Sequence, residues 1–488
     1  MSALDKPTNR VILSSMKRVL VWFRRDLRLK DNPALAAAVE TGADILPVYI
    51  HGVEQSSQLS EGEASKWWLH HALEDLDAEL KLFGGGLHFD QGKSVEDVLL
   101  GIVGEFDIDA VFWNRRYQPH ATKLDGSIKK KLQTDGVEVH SFHGGVLNEP
   151  HAIKNKSGKP YQVFTPYWKF CREIPVDDPC EVNLSGSNFV KSCGVMLEKL
   201  QLLPEINWCA KFHETWTPSR QAGLNRLADF ASGAVTEYED NRDMLVLDGT
   251  SMLSPYLHFG QLGVREIYHR LVSMGEAVNN GYLRQLYWRD FAHHLIYHFP
   301  HSVTRPLRPE YEQFPWAHDE DKIERWRRGQ TGFPIIDAAM RQLWETGWMH
   351  NRARMVVGSF LVKHLLQNWV GGADWFWNKL VDADLPNNIM GWQWVSGCGA
   401  DAAPYFRVFN PLRQAERFDS NGDYVRKYVP ELAGIPDGRI NEPWSLTPIE
   451  LECYGIKLGV TYPERMIDIN EGRDGALAAY QKFKASVV

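Results

Sequence analysis

Two tryptophans one residue apart, Trp392 and Trp394 in "NNIMGWQWVSGCG" (387–399), raise the first chemical question. On an α-helix, positions i and i+2 lie about 200° apart, so the two indoles face different surroundings. An indole can be oxidised and can pass an electron to a close neighbouring ring. It can also offer a flat surface on which a nucleobase stacks. "GWMHNRARMVVGSF" adds Asn351 and Arg354 at i, i+3 on one side of a helix, with Arg352 pointing elsewhere, toward solvent or a phosphate. "KLVDADLPNN" sets Asp382 and Asp384 just ahead of a Pro-Asn-Asn break. These residues give either a buried Arg–Asp pair or a polar lining for a planar heteroaromatic ligand, whose ring orientation and charge an arginine and a carboxylate would fix.

Three further stretches each allow two readings. In "DGTSMLSPYLHFG" (248–260), Thr250, Ser251 and Ser254 stand at a helix start, where they form a simple N-cap or a set of phosphate ligands. In "LYWRDF", Trp288 beside Arg289 is either core or, opposite Trp394, half of an aromatic clamp for unstacked bases. Arginines 325, 327 and 328 of "ERWRRGQTG" form a solvated face or track a phosphodiester backbone. The stripe around Met340 reads as core.

The elements that must hold these residues follow from periodicity. "RVLVWF" (18–23), "ADILPVYI" (43–50), "GLHFD", "DAVFWN" and "VEVHSF" read as strands, alternating with helices such as "SKWWLHHALEDLDAELKLFGGG" and "SVEDVLLGIVGEF". This predicts an α/β domain over residues 17–145 with a parallel sheet. No GxGxxG follows the first strand, which excludes a dinucleotide fingerprint there. Residues 146–219, rich in Pro, Gly, Lys and Ser, read as a long linker anchored by "YQVFTPYWKF". From 220 to 488 the periods are helical, including one helix over "NRARMVVGSFLVKHLLQNWV".

Composition bounds the function. The 488 residues are 44% hydrophobic and 24% charged, ordinary for a globular chain, but Trp outnumbers Met, 18 to 11. The start, "MSALDKPTNRVILSSMKR", lacks a secretory h-region, and no apolar run is long enough for a membrane span. Six scattered cysteines (171, 180, 193, 209, 398, 453) show neither CxxC pairs nor ligand spacing, so no metal is expected and a reducing, cytoplasmic location fits. At a net charge of −8, any nucleic-acid contact must come from a local basic patch.

Along nearly its full length the chain resembles the DNA photolyase and cryptochrome family. The residues that carry this are "VLVWFRRDLRLKDNPAL" (19–35), "TSMLSPYLHFG", "TGFPIIDAAMRQLWETGWMHNRARM" and "GWQWVSGCGADAAPYFRVFNP"; with "FWNRRYQP" (112–119) they look most like bacterial cyclobutane-dimer photolyases of the class I/III type. The resemblance implies a Rossmann-like antenna domain, a long linker and a helical domain holding a U-shaped FAD. Carried over by motif, Tyr238, Thr250, Ser251, Met252, Leu253 and Ser254 would surround the FAD phosphates. Arg289, Asn351, Arg354, Asp382, Ala383 and Asp384 would line its rings and ribose, and Asn388 would face flavin N5. Trp392, Trp369 and Trp316 would form an electron chain to the surface. Trp394 and Trp288, with Met355, Asn351 and Gln285, would pack the lesion. Arg242, Arg352 and Arg407 would meet backbone or lesion oxygens.

The reaction so implied is light-driven. Light excites the reduced flavin, directly or through an antenna pigment, and an electron passes to a pyrimidine dimer flipped out of UV-damaged DNA; the ring splits and the electron returns. The second chromophore, methenyltetrahydrofolate or a deazaflavin, is not identified, because His120 and Ala121 replace the Asn-Glu pair of one folate subgroup. Met252 replaces a usual basic residue in the phosphate loop. Gln285 stands where cyclobutane-dimer photolyases usually carry Glu and (6-4) photolyases Gln, whereas Met355 stands where (6-4) enzymes favour His. A (6-4) photolyase and a cryptochrome-type photoreceptor are therefore the alternatives. A monomer is expected.

Overall fold

The computed structural model describes residues 16–52, 60–192, 194–276, 280–405 and 407–487. The first fifteen residues, on which the absence of a leader was read, and Cys193 lie outside the described residues. Five strands, β1 (Arg18–Phe23), β2 (Asp44–Gly52), β3 (His88–Gly92), β4 (Ala110–Asn114) and β5 (Glu138–Phe142), form one parallel sheet in the order β3-β2-β1-β4-β5. Helices α1 (Pro33–Glu40), α2 (Glu63–Lys81), α3 (Val95–Glu105) and α4 (Pro119–Thr134) connect them. Strand alternation divides the buried side chains between two cores. Leu20, Trp22, Leu46, Val48, Val111 and Trp113 pack with Leu99 and Ile102 of α3 and Ile128 of α4. Val19, Val21, Phe23, Ile45 and Phe112 face Leu35 of α1 and Trp68 of α2.

That second core does not stop at the sheet domain. Trp68 meets Trp216 and Tyr256 edge to face at 5.3 and 5.0 Å, and its indole N–H donates to Gln261 at 2.8 Å. The connector holds α5 (Phe164–Cys171) and the single-turn α6 (Phe212–Thr215). The helical half continues with α7 (Arg220–Ser232), α8 (Tyr238–Asn241), α9 (Ser254–His258), α10 (Val264–Ser273), α11 (Gly281–His298), α12 (Glu320–Arg327), α13 (Pro334–Thr346), α14 (Asn351–Ser359), α15 (Trp369–Lys379) and α16 (Leu385–Ser396). A separate core here gathers Trp326, Phe360, Trp369, Phe376 and Trp392, with Met340 inside it as its stripe predicts.

One predicted helix is two. The continuous helix expected over 351–370 ends as α14, passes through a π-helical turn (Phe360–His364), and resumes only at Trp369. Between them Leu366 takes a left-handed φ of 54°, and its carbonyl accepts the Ala317 N–H at 2.8 Å. Pairing with a distant segment pulls the backbone out of the helix, a tertiary effect that periodicity does not register. Asn368 then caps α15, accepting the Val370 N–H at 3.0 Å.

Candidate functional site

Helix α16 organises the site. Asp384 is its N-cap, with Pro386 in the first turn. Asn388 follows one turn in and donates its amide to the Ala373 carbonyl of α15 at 2.9 Å. Trp392, another turn on and 3% exposed, packs against Gly372 and Gly358. A Cβ on Gly372 would stand 2.2 Å from its ring, and one on Gly358 3.7 Å. Phe376 and Trp326 close its edges at 5.0 and 6.2 Å, both near-perpendicular. Trp394 is half-buried against the same core in which Trp392 is fully buried, so the two indoles differ in exposure. Trp369 is buried in the same core, while Trp316 is partly buried against it beside Phe314 at 4.4 Å.

The charged residues just ahead of α16 are tightly held. Arg354 of α14 donates to both oxygens of Asp382 at 3.0 and 2.8 Å and to the Met349 carbonyl at 2.8 Å. The ion-pair reading of these two residues therefore holds. Asp384 lies between His258 and His293, at 3.7 and 3.9 Å. Burial would raise its carboxyl, but His293, His258 and Arg289 together hold it well below the usual carboxylate range. Burial pushes the His293 ring down to about 4. His258 is also lowered by burial, and both its ring nitrogens are buried without a hydrogen-bond partner.

Helix α11 ties this region to the loop before α9. Its first turn carries Tyr282, whose hydroxyl donates to Ser251 at 2.9 Å and whose ring meets Tyr238 edge to face at 5.3 Å. Two turns on, Arg289 donates to the Gly145 carbonyl at 2.7 Å and faces the cavity that Asp384 also lines. The simple N-cap reading of Thr250, Ser251 and Ser254 fails, because Leu253 occupies the cap position and no side chain caps α9. Met252 adopts a left-handed φ of 49°, leaving this loop irregular. A flavin dinucleotide fits these residues. Arg289, Asp384, His258 and His293 line one cavity, and the Trp392 indole N–H is buried without a partner.

Residues 282–482 match the family described as the FAD binding domain of DNA photolyase, and residues 19–182 match that described as DNA photolyase. A deoxyribodipyrimidine photo-lyase of Agrobacterium fabrum is 42% identical over 476 residues, 96% of this chain and 98% of the relative. The chain belongs to the DNA photolyase family. Cryptochrome-2 of Arabidopsis thaliana is 35% identical over 94% of this chain and 78% of its own length. A crystal structure of a bacterial class III photolyase from Agrobacterium tumefaciens superposes with a TM-score of 0.91 at 42% identity, covering 97% of this chain and all of that one. The helical half is accordingly the photolyase FAD-binding domain, and the sheet half is the photolyase N-terminal domain.

In this photolyase fold the residues expected at DNA fall into two groups. Trp288 stacks on Phe164 of α5 with ring centroids 3.5 Å apart, so one of its faces is occupied by the chain itself. Trp288 and Trp394 pack against different cores. Gln285 donates its amide to the Gly281 carbonyl at 3.0 Å, which uses one of its two N–H groups. Asn351 is exposed and reaches the Met355 sulfur at 3.8 Å. Arg352 pairs with Asp243, which Arg242 also approaches at 3.9 Å, so neither arginine is an uncompensated charge. Arg407 is exposed. Arginines 327 and 328 pair with Glu320 and Glu324, which supports the solvated-face reading.

Sequence reasoning missed Trp326, His258, His293 and the two glycines around Trp392. Trp326 sits inside the "ERWRRGQTG" run, where it is the one buried residue of α12. Its neighbours' charges drew attention outward. The histidines carry no spacing signal, since α9 and α11 bring them to Asp384 from distant positions.

Proposed function

We propose that this chain repairs cyclobutane pyrimidine dimers in DNA in a light-dependent reaction. The observation that carries this reading is the seat of Trp392, packed against glycines one turn beyond Asn388, on the helix that Asp384 caps. Bound FAD, reduced and excited by light, supplies the electron that opens the dimer. The protein's part is to hold and insulate. Tyr238, the 250–254 loop and Arg289 would bind the dinucleotide, Arg354, Asp382 and Asp384 would orient its rings, and Asn388, anchored to the Ala373 carbonyl, would offer its remaining amide groups to the flavin. Trp392, Trp369 and Trp316 carry electrons inward to reactivate the cofactor. Trp394, Met355 and the exposed face of Trp288 pack the lesion, while Arg242, Arg352 and Arg407 take the phosphates. Met355 favours the cyclobutane lesion over the (6-4) product, because a thioether cannot exchange a proton. The remaining amide N–H of Gln285 serves as the donor to a thymine carbonyl.

A second chromophore has a place at the carboxyl ends of the strands. The order of the sheet reverses between β1 and β4, where open α/β sheets bind ligands. A cavity lies there, walled on one side by Arg25 and Asp26 after β1 and Arg115 to Gln118 after β4; its other wall, His258, Arg289, His293 and Asp384, belongs to the flavin site, so a second chromophore here would sit directly beside the flavin. Its arginines suit an anionic pigment such as a folate or a deazaflavin. The free cysteines among the described residues, Cys171, Cys180, Cys209, Cys398 and Cys453, support a reducing cytoplasmic setting. Both cofactor sites and the lesion-packing residues belong to one chain, which supports action as a monomer.

The test is to irradiate the FAD-loaded protein with an oligonucleotide holding one thymine dimer and to follow recovery of thymine absorbance. Repair of the cyclobutane dimer is expected. Repair confined to a (6-4) oligonucleotide would make Gln285 the better guide. Inactivity on both, with flavin bound and photoreducible, would assign the chain to the photoreceptors.

A further inference from the structure

Among the described residues, one group of metal-ligating side chains lies on α2. His70, His71 and Glu74 place one ligand atom each within 4.8 Å of one another. Nδ1 of His71 is 2.7 Å from one Glu74 oxygen, and Nε2 of His70 is 3.7 Å from the other. His70 and Glu74 stand at i, i+4 and His71 and Glu74 at i, i+3, so each imidazole lies one turn before the carboxylate, one on either side of it. His70 is 6% exposed; its Nε2 is the nitrogen nearer Glu74, and its other nitrogen, Nδ1, has no hydrogen-bond partner. The ring of His71 is fixed from outside the group, edge to face with Trp67 at 5.1 Å and His213 at 5.0 Å. None of these residues takes part in the flavin or lesion sites.

We propose that His70, His71 and Glu74 form a binding site for one borderline divalent cation of the zinc class. Two imidazoles and a carboxylate make the donor set that such ions select over magnesium or calcium, which prefer all-oxygen ligands. A water completes a tetrahedral shell on the solvent side, where Glu74 is half exposed. The ion would staple one turn of the helix whose opposite side holds Trp68 in the shared core.

The experiment uses untagged, FAD-loaded protein dialysed to equilibrium against zinc chloride with excess magnesium, followed by metal analysis and thermal melting. The expected result is one zinc per chain and a higher melting temperature with zinc present. His71→Ala and Glu74→Ala, both at accessible positions, should weaken binding roughly tenfold or more and abolish the melting shift, with flavin content unchanged. No zinc on the natural protein, or equal zinc on the natural protein and both variants, would overturn the assignment.

Discussion

At Trp392 the indole has no room to choose another position. Gly372 lets the α15 backbone approach where a Cβ would collide with the ring, and Phe376 and Trp326 pack near-perpendicular to it. A ring so confined keeps a constant distance to its neighbours, which is what electron transfer between aromatic groups requires. Trp392→Phe should stop photoreduction of oxidised flavin by external thiol, followed as bleaching of the flavin absorbance. Repair by chemically prereduced protein should survive; its loss at full flavin content would give Trp392 a different role. Several single residues were legible in advance. The i, i+2 spacing separated Trp392 from Trp394, and "KLVDADLPNN" marked a carboxylate pair at a helix start. Trp326 was not legible, because a tryptophan amid charges reads as surface until the opposite wall is known.

Helix α15 shows what the next scale adds. It begins at Trp369 because the chain breaks after the π-helical turn, and Asn368 caps the new start. Asn368→Ala should cost about 1 kcal/mol of stability, the usual loss for an N-cap, measured as a shift in denaturant midpoint. Flavin photoreduction should also slow, since the cap fixes the first turn that bears Trp369. An unchanged midpoint would show the turn is held by other contacts. The sequence from 351 to 370 has no proline, and its glycine lies within α14, so its apolar period runs through the break unmarked. The strands of the sheet half were legible for the opposite reason. The central strands β1, β2 and β4, buried on both faces, read as short apolar runs between clear turn residues.

For the molecule as a whole, buried imidazoles set the response to acid. Burial holds His293, His350 and His364 down at about 4 and His294 at about 3, against an ordinary 6.5. Each stays neutral in the folded chain while its unfolded counterpart gains a proton below 6.5. Their contribution is therefore complete above pH 6.5 and is lost as pH falls toward 4. Asp290, raised to about 6 by burial, acts in the opposite sense. Four groups outweigh one, so the melting temperature of the flavin-loaded protein should fall steadily between pH 6.5 and pH 5 at fixed ionic strength. A flat profile would contradict the burial of these rings. The order of elements was readable from periodicity, but which faces meet was not, since Trp67 and Trp68 look alike in sequence and differ only in what covers them. The core that Trp68 shares with Trp216 and Tyr256 has a practical consequence. The flavin-binding half has no finished surface on that side. Expressed without the sheet half, it would present bare indoles to solvent and aggregate, whereas a protease nick in the connector would leave two fragments that stay together and melt as one.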